Sequence, residues 1–330
     1  MSTTLSSETV YFSYPSSPPG LKVVGKRFVP SNARNDGFTL IFTHCTGAHK
    51  EMWEPTLQVL LDLHAKGQAP PIREAWTFDW QSHGEAGVVN AAPLKSETNG
   101  LSVQEWADGL KAFFASPYLA GHTLVGLGHS SGAATLLLTT IPPTPVVFHA
   151  LVLVEPSLIT RALRKQHEAE RNAALVRMMK ALDGRRDVWV SRAAAREYFA
   201  QRLPWKAWDA RVLDLFVEHG LTDVPGGEGK VTLSCTKDQE KGAYSLVEPH
   251  GVAVDRLASL DAAVPVHVIF GERIDLVPKY AHDSILGVRK MTSITKVPGA
   301  GHQVVQMQPD RLAGAIAQVL TRIAVPRAKL

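Results

Sequence analysis

The stretch GLGHSSGAA, Gly126 to Ala134, joins an apolar strand-like run (122–128) to a helix-like run that opens at Ser131. Inside it, Gly128-His129-Ser130-Ser131-Gly132 forms a G-x-S-x-G. A strand that turns at once into a helix leaves space only for small residues on either side of the turning one. The strain of such a turn lifts the central hydroxyl clear of the sheet. Ser130 is therefore the candidate nucleophile, and Ser131 heads the helix that follows. Context carries this reading, because the bare pattern is common by chance.

Working outward, strand and helix patterns alternate on both sides. Strands are expected over 21–29, 38–44, 73–79, 122–128 and 150–155, with helices over 52–65, 103–115 and 131–138. The run ALVLV (150–154) has the continuous apolar character of a strand buried on both faces. After Glu155 the rhythm changes, and residues 157–260 read as mostly helical with one short strand over 230–235. In that segment Leu175, Met178, Met179 and Leu182 recur at helical spacing, which predicts one buried stripe. Alternation resumes with strands over 264–271 and 292–299 and a closing helix over 310–323. The expected architecture is α/β: a mostly parallel central sheet flanked by helices (1–156 and 261–330), interrupted by a mainly helical cap (157–260). The Pro/Ser-rich start and the loop over 223–230 read as flexible.

Bulk properties narrow the class. The chain has 330 residues, 45% hydrophobic and 20% charged, as an ordinary globular protein does. No run reaches the ~18 consecutive apolar residues of a membrane helix. The first twenty residues lack the basic start and apolar core of a secretory signal. Two cysteines, Cys45 and Cys235, make no disulfide framework and suggest a reducing compartment. Nothing in the charge pattern suggests nucleic acid, since no interleaved stacking aromatics or binding motif accompanies the basic residues.

With these landmarks in order, the chain resembles the α/β-hydrolases over nearly all its length except the insert. THCTGAHKEMW (43–53) resembles the family's His-Gly-x oxyanion loop, with Cys45 in place of the usual glycine. FDWQSHGEAG (78–87) resembles its Asp-x-x-x-His-Gly run. FGERIDLVP (270–278) resembles the turn that holds the catalytic acid, and VPGAGHQVVQMQPD (297–310) the loop that holds the catalytic histidine. The resemblance implies Ser130 as nucleophile and His302 as its base. It places oxyanion donors at the backbone N–H groups of Ser131 and Thr46, with Cys45 as the close alternative to Thr46. A serine hydroxyl needs such a base within hydrogen-bond reach, and the oxyanion needs two fixed donors. No cofactor or metal is called for. His44 and His49 lack the further ligands a zinc site needs. Epoxide hydrolases and dehalogenases place an aspartate where Ser130 stands.

The acid departs from the usual pattern. Gly271 and Pro278 keep the family's spacing, but the third position after the glycine is Ile274, and Asp275 comes one place late. Some relatives carry the acid at the end of the strand after the nucleophile helix, which here is Glu155. A carboxylate there is costly to bury unpaired, and His302 is its natural partner. Glu155 is the expected acid and Asp275 the less favoured one; the order Ser130, Glu155, His302 suits the family.

A helical insert with a short basic-apolar tail narrows the likeness to a fungal group. That group includes peroxisomal lipase-like proteins, hydrolases of toxin and other secondary-metabolite pathways, and a thioesterase acting on mycophenolate-CoA. The tail Ala328-Lys329-Leu330 resembles the Ser-Lys-Leu peroxisomal address, implying an import receptor as partner and the peroxisome, rather than the cytoplasm, as location. Between Arg161 and Lys206 stand twelve Arg or Lys against five Asp or Glu, a net of +7 in a chain whose total is +4. Such a field above the site would attract a phosphate-bearing substrate, although solvated helix faces give the same count. Cys45, Trp53, Met178 and Trp205 are the expected pocket residues. The implied substrate is a CoA thioester or ester of a bulky apolar acid. A lactone or simple ester is the alternative, and a hydrolase-fold binding protein without turnover is the rival class.

Overall fold

A computed structural model describes residues 6–323. Its framework follows from the apolar runs. β6 (Ala150–Val154) is buried at all five positions and β3 (Phe38–Thr43) at all six, as strands covered on both faces must be. With β1 (Ser7–Ser13), β2 (Lys22–Phe28), β4 (Ile72–Phe78), β5 (Thr123–His129), β10 (Val266–Gly271) and β11 (Ser293–Val297) they form one eight-stranded sheet, ordered β1-β2-β4-β3-β5-β6-β10-β11. From β4 to β11 every pairing is parallel, while β1–β2 and β2–β4 are antiparallel.

The longer helices are α1 (Glu54–Ala65), α2 (Val103–Phe114), α3 (Ser131–Thr139), α4 (Arg161–Gln166), α5 (Glu168–Gly184), α6 (Arg192–Ala200), α7 (Ala210–His219), α8 (Lys237–Ser245), α9 (Glu248–Ser259), α10 (Lys279–Val288) and α11 (Pro309–Arg322). One face of the sheet packs against α2, α3 and α9 through Trp106, Leu110, Leu137, Val254 and Leu257. The other packs against α1 and α11 through Leu57, Leu60, Leu312 and Ile316. The result is three layers.

The insert between β6 and β10 is mainly helical, with a three-stranded sheet of its own ordered β7-β9-β8 (β7, Val188–Trp189; β8, Leu221–Asp223; β9, Val231–Leu233). Three differences from expectation have simple causes. The start of the chain was expected to be loose, yet β1 pairs with β2 along its whole length; its mixed exposure marks an edge strand. α9 falls within the range expected for the cap, yet its buried Ala253, Val254 and Leu257 join the core layer beside α2 and α3. Of the expected stripe on α5 only Leu182 is buried; Leu175 and Met178 instead face a cavity. The tail 328–330 lies outside the described residues.

Candidate active site

Ser130 closes β5 with φ 55° and ψ −115°, a left-handed conformation that an L-residue holds only under constraint. The constraint is packing. A Cβ on Gly128 would meet the Ala133 backbone at 2.6 Å, and one on Gly132 would meet the Thr43 carbonyl oxygen at 2.6 Å. The Ser130 N–H donates to the Val154 carbonyl at 3.0 Å, tying the turn to the end of β6.

Directly after β6 comes Glu155, also left-handed at φ 43°. Its N–H donates to Ile269 O at 2.8 Å, and Oε1 accepts from the Gly271 N–H at 2.6 Å. That leaves Oε2, which sits 3.1 Å from Nδ1 of His302. On the other side of the ring, His302 Nε2 is 3.0 Å from Ser130 Oγ. With the carboxylate accepting from Nδ1–H, Nε2 is left as an acceptor for the serine hydroxyl. All three residues are largely buried: Ser130 6%, Glu155 1% and His302 9% exposed.

Burial alone would raise the Glu155 carboxyl. His282 and His302 beside it outweigh that effect and bring it down to about 2. His282 went unnoticed in the sequence. Its Nε2 lies 3.4 Å from Glu155 Oε2, close but misaligned for a hydrogen bond, and its ring stacks on Phe270 at 4.3 Å. No sequence signal marks it, because α10 delivers it from 127 residues away.

Asp275 is exposed and approaches His302 from its main chain. Its Oδ1 accepts from the N–H of His302 at 2.8 Å and of Leu276 at 2.7 Å. Ile274, in the family's acid slot, is half exposed. The cap also grips this loop: Trp208 Nε1 donates to Gln303 Oε1 at 2.9 Å, and Asp209 N to Gln306 O at 2.8 Å. His129 Nε2–H donates to the His302 carbonyl at 2.8 Å; burial, then the neighbouring His302, push its pKa down to about 3, so the ring is neutral.

A cavity of about 440 Å³ opens over Ser130, with Cys45, Thr46, Ser131, Met178 and His302 in its wall. Ser131 sits at the first turn of α3, where backbone N–H groups have no partner within the helix. Its hydroxyl is 3.1 Å from that of Thr46, so the two expected donor residues adjoin. The Cys45 thiol is pushed up to about 12 by burial and faces Gln306 Nε2 at 3.3 Å, which removes it as a nucleophile at neutral pH. Two expected pocket residues lie elsewhere. Trp53 is wholly buried against Phe42 (4.9 Å between rings) on the α1 side of the sheet. Trp205 packs inside the cap against Phe199 at 4.7 Å.

The loop bearing Thr46 is fixed from beneath by an ion cluster that sequence reading did not resolve. Lys50 is wholly buried, its Nζ 2.8 Å from Glu51, 3.0 Å from Asp79 and 2.9 Å from Glu85. Burial opposes its charge, but Asp79 and Glu51 more than offset this and hold the ammonium protonated. Asp79, the acid of the Asp-x-x-x-His-Gly run, also accepts from the N–H groups of Lys50 (2.8 Å) and Ala86 (3.2 Å). Among the described residues no group of three or more His, Cys, Asp or Glu could hold a metal ion.

Comparison with known proteins agrees with the framework. The chain is 26% identical over 215 residues to the type I acyl-CoA thioesterase mpaH′ of Penicillium brevicompactum, a match covering 62% of this chain and 45% of that protein. It is 30% identical over 129 residues to the peroxisomal membrane protein LPX1 of Saccharomyces cerevisiae, covering 37% of this chain and 31% of the other. The chain thus spans less than half the length of the curated relatives it matches. The solved structure of the peroxisomal alpha-beta-hydrolase Lpx1 from Saccharomyces cerevisiae superposes with a TM-score of 0.74 at 17% identity, over 99% of this chain and 92% of that one. The thioesterase domain from the curacin biosynthetic pathway superposes with a TM-score of 0.67 at 15% identity, over 96% and 99%. The model of the Alpha/beta hydrolase family matches residues 40–315, and the chain belongs to that family.

Proposed function

We propose that this hydrolase cleaves acyl esters or thioesters through a covalent acyl-serine. The single observation that carries the reading is the unbroken run Ser130 Oγ, His302 Nε2, His302 Nδ1, Glu155 Oε2, at 3.0 and 3.1 Å, open to the cavity. Ser130 attacks the carbonyl carbon while His302 Nε2 takes its proton. Glu155 holds the ring in one tautomer and stabilises the imidazolium. The oxyanion is met by the N–H groups of Thr46 and Ser131. Collapse breaks the bond to the leaving group, which takes the proton from His302. Water, deprotonated by the same imidazole, then frees the acid and restores Ser130.

For the substrate, we read a CoA thioester or ester of a bulky apolar acid. Support comes from the thioesterase relatives and from the cavity wall, where Leu158, Ile159, Leu175, Met178 and Val277 present apolar surface. A peroxisomal location belongs to the same reading, supported by the likeness to the yeast protein. Removing Ala328–Leu330 from an N-terminally tagged chain should disperse it into the cytosol; unchanged puncta would contradict that location. The reaction itself is tested with a fluorophosphonate probe. The expected result is stoichiometric labelling of Ser130, absent in Ser130→Ala. A wild-type protein that stays unlabelled, with no turnover of acyl-CoAs, esters or lactones, would instead point to a ligand-binding protein.

A further inference from the structure

The cavity over Ser130 does not end at the acyl site. Arg164 on α4 and Arg171 on α5, with Asn172, line both it and an adjoining recess of about 300 Å³, which Arg161, Lys165 and Glu168 complete. Arg177, further along α5, also faces the main cavity.

The charges in this corner are unbalanced. Arg161 is paired with Glu248 at 2.6 Å and Asp255 at 3.0 Å. Arg164, Lys165, Arg171 and Arg177 have no carboxylate within 4.0 Å among the described residues, as is also true of Arg186 and Arg202, whereas Arg192, Arg196 and Arg211 each have one. Two polar atoms are also left over: Nε of Arg171 and Nδ1 of His250 are buried without a hydrogen-bond partner. A buried donor without a partner is costly, so the orphaned guanidinium N–H of Arg171 beside like charges marks a place that an anion completes. Burial, then Arg171, push the Arg164 guanidinium below its ordinary value. Burial, then Arg164 and Arg171, bring His250 down to about 4, so at neutral pH it adds no third positive charge.

We infer that Arg164 and Arg171, with Asn172 and His250 beside them, form a binding subsite for a phosphate group on the leaving part of the substrate. Guanidinium groups bind phosphate in pairs of parallel hydrogen bonds, and both orphaned nitrogens stand at this site. Ser130, Ser131, Thr46 and His302 line the main cavity and none of them lines the recess. The subsite therefore suits a substrate whose phosphates are held away from the scissile bond by a neutral arm, as pantetheine holds them in a CoA thioester. This rests on the thioester reading of the active site for its orientation. The binding test does not need turnover.

Free CoA and pantetheine are titrated calorimetrically into the full chain, its Arg164→Gln/Arg171→Gln variant and its Arg164→Lys/Arg171→Lys variant, each checked by circular dichroism and thermal melting. CoA should bind the wild type about tenfold or more tightly than pantetheine, with an affinity that falls as salt is raised. The Gln variant should lose about tenfold or more of its CoA affinity and none for pantetheine; the Lys variant should fall between. Equal binding of CoA and pantetheine, salt-independent binding, or no binding of CoA to the wild type would overturn the subsite. So would a Gln variant that keeps its CoA affinity but loses turnover of a glutaric acid monoester, for the arginines would then read a carboxylate on the acyl group. CoA binding that depends on both arginines, in a protein whose Ser130 resists the fluorophosphonate, would sink the reaction and leave the subsite standing.

Discussion

Glu155 and Asp275 each hydrogen-bond His302, but at opposite ends of the residue. Glu155 is 1% exposed, reaches the ring at 3.1 Å and spends its other oxygen on the Gly271 N–H. Asp275 is exposed and reaches the main-chain N–H at 2.8 Å. The first can fix the tautomer of the imidazole; the second can only fix where its loop runs. On the proposed mechanism, position in the turn after β10 is therefore a poor guide to which carboxylate serves as the acid. What separates the two is which strand end places its carboxylate beside Nδ1, and Glu155 does so from a left-handed backbone, φ 43°.

The comparison breaks most readily on activity. Glu155→Gln should lower kcat by about 10³- to 10⁴-fold, the scale seen when a triad acid becomes an amide. Asp275→Asn should stay within about tenfold of wild type, its loss confined to one hydrogen bond on a loop. Steady-state kinetics on a common chromogenic ester measures both, and the reversed order would return the role to Asp275.

Stability separates the two next. The Glu155 carboxyl is held at about 2, against an ordinary value of 4.5. A depressed carboxyl stabilises the fold in full above its unfolded value, and that contribution fades as pH falls toward the folded one. By linkage it is worth about 3 kcal/mol near neutrality. The stability difference between wild type and Glu155→Gln, from urea melts, should be flat above pH 5 and shrink by roughly that amount by pH 2. A difference that does not change with pH would show that the carboxyl is not held low. The smallest effect concerns the cap's grip on the same loop. Trp208→Phe removes the 2.9 Å bond to Gln303 and should cost about threefold in kcat/KM with no change in the pH profile.

Much of the framework is legible in the chain because parallel strands read as unbroken apolar runs, as ALVLV does. β1 escaped because its exposures are mixed, as they are on an edge. Ser130 is legible through two glycines that packing demands, and Glu155 and His302 through their places at strand ends; the structure brings the three side chains together. Trp53 is not legible. The chain after the Thr46 loop dives beneath the sheet through a single turn of 3₁₀ helix (Lys50–Trp53), and nearness in sequence does not say which face that turn buries. Trp205 and the α5 stripe fail for a related reason: helical spacing marks a shared face, whether that face meets a core or a cavity. His282 comes from a distant helix, so no local pattern announces it; Arg164 and Arg171 stand on consecutive helices and are legible only as part of the basic excess over 161–206.

One bond carries the proposed reaction, that between the ring of His302 and the Glu155 carboxylate just after β6. Proton NMR of the full chain with ¹⁵N-labelled histidine reads it directly. The prediction is a strongly downfield Nδ1–H resonance that persists in Asp275→Asn and vanishes in Glu155→Gln. A resonance that survives the loss of Glu155, or disappears with Asp275, would contradict it.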